Sequence, residues 1–339
     1  MLISTKSVNK LAENIVSSSE TFCSGLFLSA RWFVVSQLDH DGLQLIVLPD
    51  KESAEYCAAD LYNLIEGDKV FFLPASGKNL EKSNYKSSLG VQRTSAIGKI
   101  LDYKDGQLIV VTYPSALEEA IPDAGKIKSS IFELNVGDEI SHENIITSLF
   151  ESGFERVDFV AEPGQFAIRG AIVDIFSYSY NNPFRISFFG DEIDSINIFD
   201  CNTQLSKEKV HKAEIYPDLT GSDDSDSSVS VIDILPDDAL IWLDSSDMYK
   251  NKEFYPLFDR FKRIFMELPL SRQDEEAIRF NITPQPVFNK NFELLTEDIR
   301  KRLEEGFRVR IYGEKESQLE RLKSILSQNN ANTSFLLQS

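Results

Sequence analysis

Cationic residues are in short supply. Against 54 Asp and Glu the chain carries 35 Lys and Arg, a formal net charge of −19. A protein that grips DNA chiefly through its phosphates needs a positive surface, and this chain as a whole repels a polyanion. A protein partner is the better expectation, with any basic patch confined to one place. Cysteine is also sparse. Cys23, Cys57 and Cys201 are odd in number, far apart and never in a C-x-x-C pair. That argues against a disulfide framework and a zinc site, and suits a reducing cytoplasm. His40, His142 and His211 stand alone, so neither a metal centre nor a nucleophilic triad has its residues. No stretch approaches the ~20 consecutive apolar residues of a membrane span. The N-terminus lacks the basic-then-apolar layout of a secretion signal.

What is present divides by texture. The 339 residues, 42% hydrophobic and 26% charged, suffice for two or three globular domains. Residues 1–125 read as a first α/β segment. Apolar runs at 43–49, 69–74 and 107–114 predict buried strands, and Asp50 caps a helix carrying Ala54, Cys57, Ala58, Leu61 and Leu64 on one face. Residues 126–216 change character. A helix with Ile145, Ile146, Leu149 and Phe150 on one side ends at Gly153. Five strand candidates follow, at 156–160, 164–169, 172–176, 184–189 and 193–199. Their links are too short for crossover helices, so antiparallel pairing is expected, with turns at 181–183 and 190–191.

Residues 217–228 form an acidic linker. Its aspartates lack the glycine and closing glutamate of a calcium loop. Residues 229–339 return to α/β texture, with strands at 239–244 and 307–313 and helices around Leu294–Leu303 and Leu319–Leu326. The expected fold is α/β, a degenerate RecA-like parallel sheet built by both ends of the chain, with an inserted antiparallel α+β domain.

Strand, glycine turn and helix around "SGLFLSARWF" form the setting in which G-x-x-x-x-G-K-[ST] holds phosphates. Gly25 is in place, but the second glycine, the lysine and the hydroxyl are replaced by Ala30, Arg31 and Trp32. Without those glycines the backbone N–H groups cannot converge, and an indole cannot ligate magnesium. The loop reads as vestigial, with no cofactor and no metal. "ASGKN" (75–79) is a second, weaker match without the hydroxyl. In "LIWLDSS", Asp244 is followed by Ser245 where an ATPase would orient its water with an acid.

Two strands carry residues that look misplaced. Alternation in "PFRISFFG" sends Phe184, Ile186 and Phe188 to one face and Arg185, Ser187 and Phe189 to the other. In "QFAIRG", Arg169 lies opposite Phe166 and Ile168. Arginine beside an exposed aromatic ring is the composition of an interface anchor. The pattern equally allows Phe189 to fold under the Gly190 turn, with both arginines solvated or salt-bridged.

"EPGQFAIRGAIVDIF" followed by "PFRISFFGDEIDSINIFD" resembles the signature of the bacterial transcription-repair coupling factors (the Mfd family) and of their relative UvrB. The likeness extends more loosely over nearly the whole chain. The broken phosphate loop, and the lack of UvrB's tyrosine-rich DNA-clamping hairpin between Pro74 and Leu101, favour the coupling factors. The resemblance implies an N-terminal UvrB-like module that recruits UvrA to stalled transcription complexes in nucleotide excision repair. The contact it implies is Arg169, Arg185 and Phe189, the arginines pairing with acids on UvrA while the ring is buried. It also implies that this chain, in the cytoplasm, is not itself an enzyme. ATP and Mg²⁺, RNA polymerase and double-stranded DNA would be engaged through domains beyond Ser339 of a longer protein. Two alternatives stand beside this: an active UvrB-type ATP-dependent helicase half, and a structural domain that masks the motor of the longer protein.

Overall fold

Continuous apolar runs with no polar alternation belong to strands covered on both faces, and three such strands form the middle of the main sheet. The structure, a computed structural model, describes residues 5–76, 84–180, 182–219, 228–267, 277–283, 286–312, 315–328 and 336–338. The chain divides into compact units at 1–282 and 283–339. In the first, seven parallel strands run in the order Ile278–Arg279, Glu20–Ser24, Lys262–Phe265, Leu240–Leu243, Leu43–Val47, Leu108–Thr112, Val70–Phe72. Ile46, Val111, Trp242 and Ile264 pack on one face with the helices Thr5–Ser17, Ala30–Gln37 and Lys51–Leu64. Leu45, Val110, Ile241 and Phe265 pack on the other with Ile97 and Ile100 of the helix Asn84–Leu101.

The two ends of the unit meet where Leu43–Val47 pairs with Leu240–Leu243. There the Trp242 Nε1 donates to Gln44 Oε1 across the seam at 2.9 Å, satisfying two polar groups that neither solvent nor the ladder reaches. The sequence assigns 229–339 to completing the sheet. In the structure the completing strands come from 240–279. Residues 283–339 form a unit of their own, in which helices Phe292–Glu304 and Glu316–Gln328 enclose Ile299 and Leu326.

Within the first unit a second sheet occupies the middle of the chain. Its order is Ser206–Val210, Glu192–Phe199, Phe184–Phe189, Ile172–Ile175, Gln165–Arg169, Glu155–Arg156. All pairs are antiparallel except the last. The helix His142–Glu151 covers one face with Ile145 and Leu149, against Phe166, Val173, Ile175, Phe184, Ile186 and Phe188. Ser141 caps it by accepting from the Asn144 amide, and Gly153, at φ +81°, turns the chain out of it. The strands Phe132–Asn135 and Lys212–Ile215 pair antiparallel and bring the two ends of this region together.

One sequence expectation differs from what forms, and two elements were not foreseen. The 156–160 strand shrinks to Glu155–Arg156 and pairs in parallel, because residues 157–164 leave the sheet to cover Ala167 and Phe176. The polar stretch before Leu101 is a helix whose buried Arg93 donates to the carbonyls of Pro74, Ala116 and Glu119. Strand Ser206–Val210, almost wholly exposed, has no apolar alternation to announce it. Part of the 181–183 turn, residues 220–227 of the linker and 77–79 of "ASGKN" lie outside the described residues. No helix among the described residues is long and apolar enough to cross a membrane.

Candidate interaction site

The glycine turn of "SGLFLSARWF" lies between strand Glu20–Ser24 and helix Ala30–Gln37. Gly25 is at φ +70°, and a Cβ there would stand 2.0 Å from the Phe280 carbonyl oxygen, so only glycine fits. Residues 30–32 do not open a cradle. The amides of Ala30, Arg31 and Trp32 donate to the carbonyls of Phe27, Leu28 and Ser29 at 3.1–3.2 Å. The Arg31 guanidinium spans two neighbouring strand ends: it binds Asp244, and its Nη2 lies 2.7 Å from Glu267 Oε1. Burial holds the Asp244 carboxyl above its ordinary value and the Arg31 charge opposes that. A side chain of the protein thus occupies, with its own charge, the place between loop and strand ends. Trp32 is buried.

The second candidate lies on the outer face of the inserted sheet. Across three strands, Arg185, Asp174 and Ala167 form one row, and Ser187, Ile172 and Arg169 the next. Phe189 follows two residues further along its strand. A bulge in strand Glu192–Phe199, opposite Ser187 and Phe188, leaves that parity intact, and Phe189 is 82% exposed while Phe188 is buried.

Asp174 is the centre of the arrangement. Its side chain is 1% exposed and accepts from Arg185 Nε at 2.7 Å through Oδ1 and from Arg185 Nη2 at 2.9 Å through Oδ2. Arg169 Nη2 binds the same Oδ2. Arg185 also donates to the Gln204 side-chain and main-chain oxygens at 3.0 and 3.3 Å, and its guanidinium stacks 4.1 Å above the buried Phe199 ring. Hydrogen bonding to Asp174 pushes its pKa further up, so it is a fixed cation. The side chains of Arg185 and Arg169 are 18% and 37% exposed.

Both readings of the misplaced residues are therefore realised in part. Phe189 stands in solvent, and both guanidinium groups are salt-bridged from below. The simple picture of two free arginines awaiting acidic partners needs amendment: Arg185 has spent most of its five donors inside the chain, and Arg169 presents the more open cation. Sequence reasoning missed Asp174, although it sits within the quoted signature. The signal was a charged residue between Val173 and Ile175 on a buried strand. It also missed Phe159, whose ring lies 5.1 Å from the Arg169 guanidinium.

Comparison with known proteins bears on this region first. Residues 132–220 match the family described as the UvrB interaction domain. The chain is 31% identical over 214 residues to the transcription-repair-coupling factor of Bacillus subtilis (strain 168), covering 62% of this chain and 18% of that protein. It is 32% identical over 190 residues to the transcription-repair-coupling factor of Mycobacterium tuberculosis (strain CDC 1551 / Oshkosh), covering 54% and 15%. It is 32% identical over 187 residues to the UvrABC system protein B of Thermosipho africanus (strain TCF52B), covering 51% and 28%. The matched region is less than a third of the length of each of these relatives.

Proposed function

We propose that this chain, a UvrB-like region of the kind found at the N-terminus of transcription-repair coupling factors, is a docking module that recruits UvrA during nucleotide excision repair. The observation that carries the proposal is one exposed ring and two pinned guanidinium groups on a single sheet face, within the part of the chain that matches an interaction domain. Rigid aromatic and arginine side chains dominate binding energy at interfaces because they bury much area for little lost freedom. Phe189 enters a hollow on UvrA, Arg169 meets a carboxylate there, and Arg185, held by Asp174 and Gln204, supplies fixed positive potential. The net charge of −19 opposes an acidic partner at long range, so recognition is by contact. Screening at 0.1 M salt already confines charge effects to about 10 Å.

The chain does this without nucleotide chemistry of its own. The Arg31 ion pairs and the self-bonded amides of residues 30–32 support that reading. It needs no cofactor. Any use of ATP and Mg²⁺, RNA polymerase or double-stranded DNA belongs to other parts of a longer cytoplasmic protein.

Calorimetric titration of UvrA tests the docking. Phe189→Ala removes an exposed ring that packs in no core, so folding is unaffected and affinity should fall at least about thirtyfold, ~2 kcal/mol, as for an anchor residue. Unchanged affinity in both Phe189→Ala and Arg169→Ala would reject the proposal. Micromolar ATP binding would reject the reading of the loop.

A further inference from the structure

The geometry points to Phe159 as a second aromatic anchor of this surface, so that the partner must offer two apolar hollows flanking an acidic group. The inference rests on the docking reading above and extends it to Phe159, which precedes the quoted signature.

Residues 157–164 run over the outer face of the sheet and are packed by their valines. Val160 is buried with Ala167 and Phe176, and Val157 packs against the same cluster. Phe159, between them, stays 63% exposed. The segment does not need this ring for its own packing. Nor is the ring on a loose tip. The Val157 amide donates to the Phe166 carbonyl at 2.9 Å, the Gly164 amide to the Phe176 carbonyl at 2.7 Å. Gln165 Oε1 accepts from the amides of Ala161 and Glu162 at 2.9 and 3.0 Å. A ring held in this way loses little freedom when a partner covers it.

Its neighbour strengthens the case. The Arg169 guanidinium lies 5.1 Å from the ring centroid and is tied to Asp174. The cation is fixed by a carboxylate and a π-face together, yet it keeps the larger exposure of the two arginines. Arg169 and Phe189 are two strands and two residues apart, roughly 12 Å by sheet spacing. The surface thus runs from ring to guanidinium to ring across the sheet, and a complementary partner meets it with apolar, acidic and apolar groups in that order.

The test is titration of UvrA with the 339-residue chain carrying Phe159→Ala, Phe159→Tyr, Arg169→Ala, Phe189→Ala, and Phe159→Ala with Arg169→Ala. Phe159→Ala should weaken binding about tenfold or more, and Phe159→Tyr, which keeps the ring, should stay within about threefold of wild type. The double variant should lose less than the product of the two single losses, because ring and guanidinium act as a pair. Wild-type affinity in Phe159→Ala, alongside a clear loss in Phe189→Ala, overturns this inference and leaves docking intact. Wild-type affinity in Phe159→Ala, Phe189→Ala and Arg169→Ala overturns both. Thermal unfolding of Phe159→Ala should barely move, since no buried contact is removed. If it drops, Phe159→Leu keeps the bulk and carries the test, and wild-type affinity in that variant overturns the inference.

Discussion

A carboxylate with 1% of its side chain exposed that holds two guanidinium groups has no water to replace either of them. Asp174→Asn keeps the shape but removes the charge, and turns an NH₂ toward one of its former donors. The expected cost is about 3 kcal/mol, the lower end of the range for breaking a buried ion pair by removing one partner, measured by urea unfolding. UvrA affinity should fall as well, since Arg169 and Arg185 lose the group that aims them. A stability change below about 1 kcal/mol would mean that the triad is hydrated and weak. At this scale legibility depended on period. Alternation along 184–189 correctly separated Phe188 from Phe189. Asp174 was hidden because its role follows from cross-strand register, Arg185 and Ala167 standing on either side of it. Phe159 was hidden because residues 156–160 read as a sheet strand, whereas pairing stops at Arg156.

In the segment from strand Glu20–Ser24 through helix Ala30–Gln37 the Arg31 charge is satisfied internally. Arg31→Ala leaves Asp244, with 10% of its side chain exposed, facing Glu267 without a cation. Stability at pH 7 should fall by about 3 kcal/mol. Part of that loss should return on acidification. Burial already raises the Asp244 carboxyl above its ordinary value, with Arg31 as the opposing term; without Arg31 the group titrates higher still. A group raised in the folded state costs stability as pH rises through that value, so the deficit against wild type shrinks as pH falls through it. Urea unfolding at pH 7 and pH 5 reads this, and a deficit independent of pH sinks it. Missing glycine, lysine and hydroxyl were plain in the sequence. Glu267, from another strand end, was not. The same contrast holds for whole elements. Buried strands announced themselves as apolar runs, whereas helix Asn84–Leu101 and strand Ser206–Val210 are polar enough to pass for loop.

For the whole molecule, the question is whether the docking face depends on the sheet that carries it. The inserted region has its own core around Phe166, Ile186 and Leu149, and its ends are joined as neighbours by the pairing of Phe132 with Ile215. Excision at residues 131–216 would cut few specific ties. One is the Tyr216 hydroxyl donating to Asp102 at 2.5 Å. Each neutral hydrogen bond contributes about 1 kcal/mol and a bond to a charged group about twice that, so the fragment should melt lower yet still fold. The described side-chain contacts of Arg169, Asp174, Arg185 and Phe159 all lie inside the region. The excised fragment should therefore bind UvrA within about threefold of the whole chain, a difference of less than ~0.7 kcal/mol. Circular dichroism would establish folding and calorimetry the affinity. A folded fragment that binds much more weakly would place part of the contact on the seven-stranded sheet, and the sheet would then be more than a support for the domain it carries.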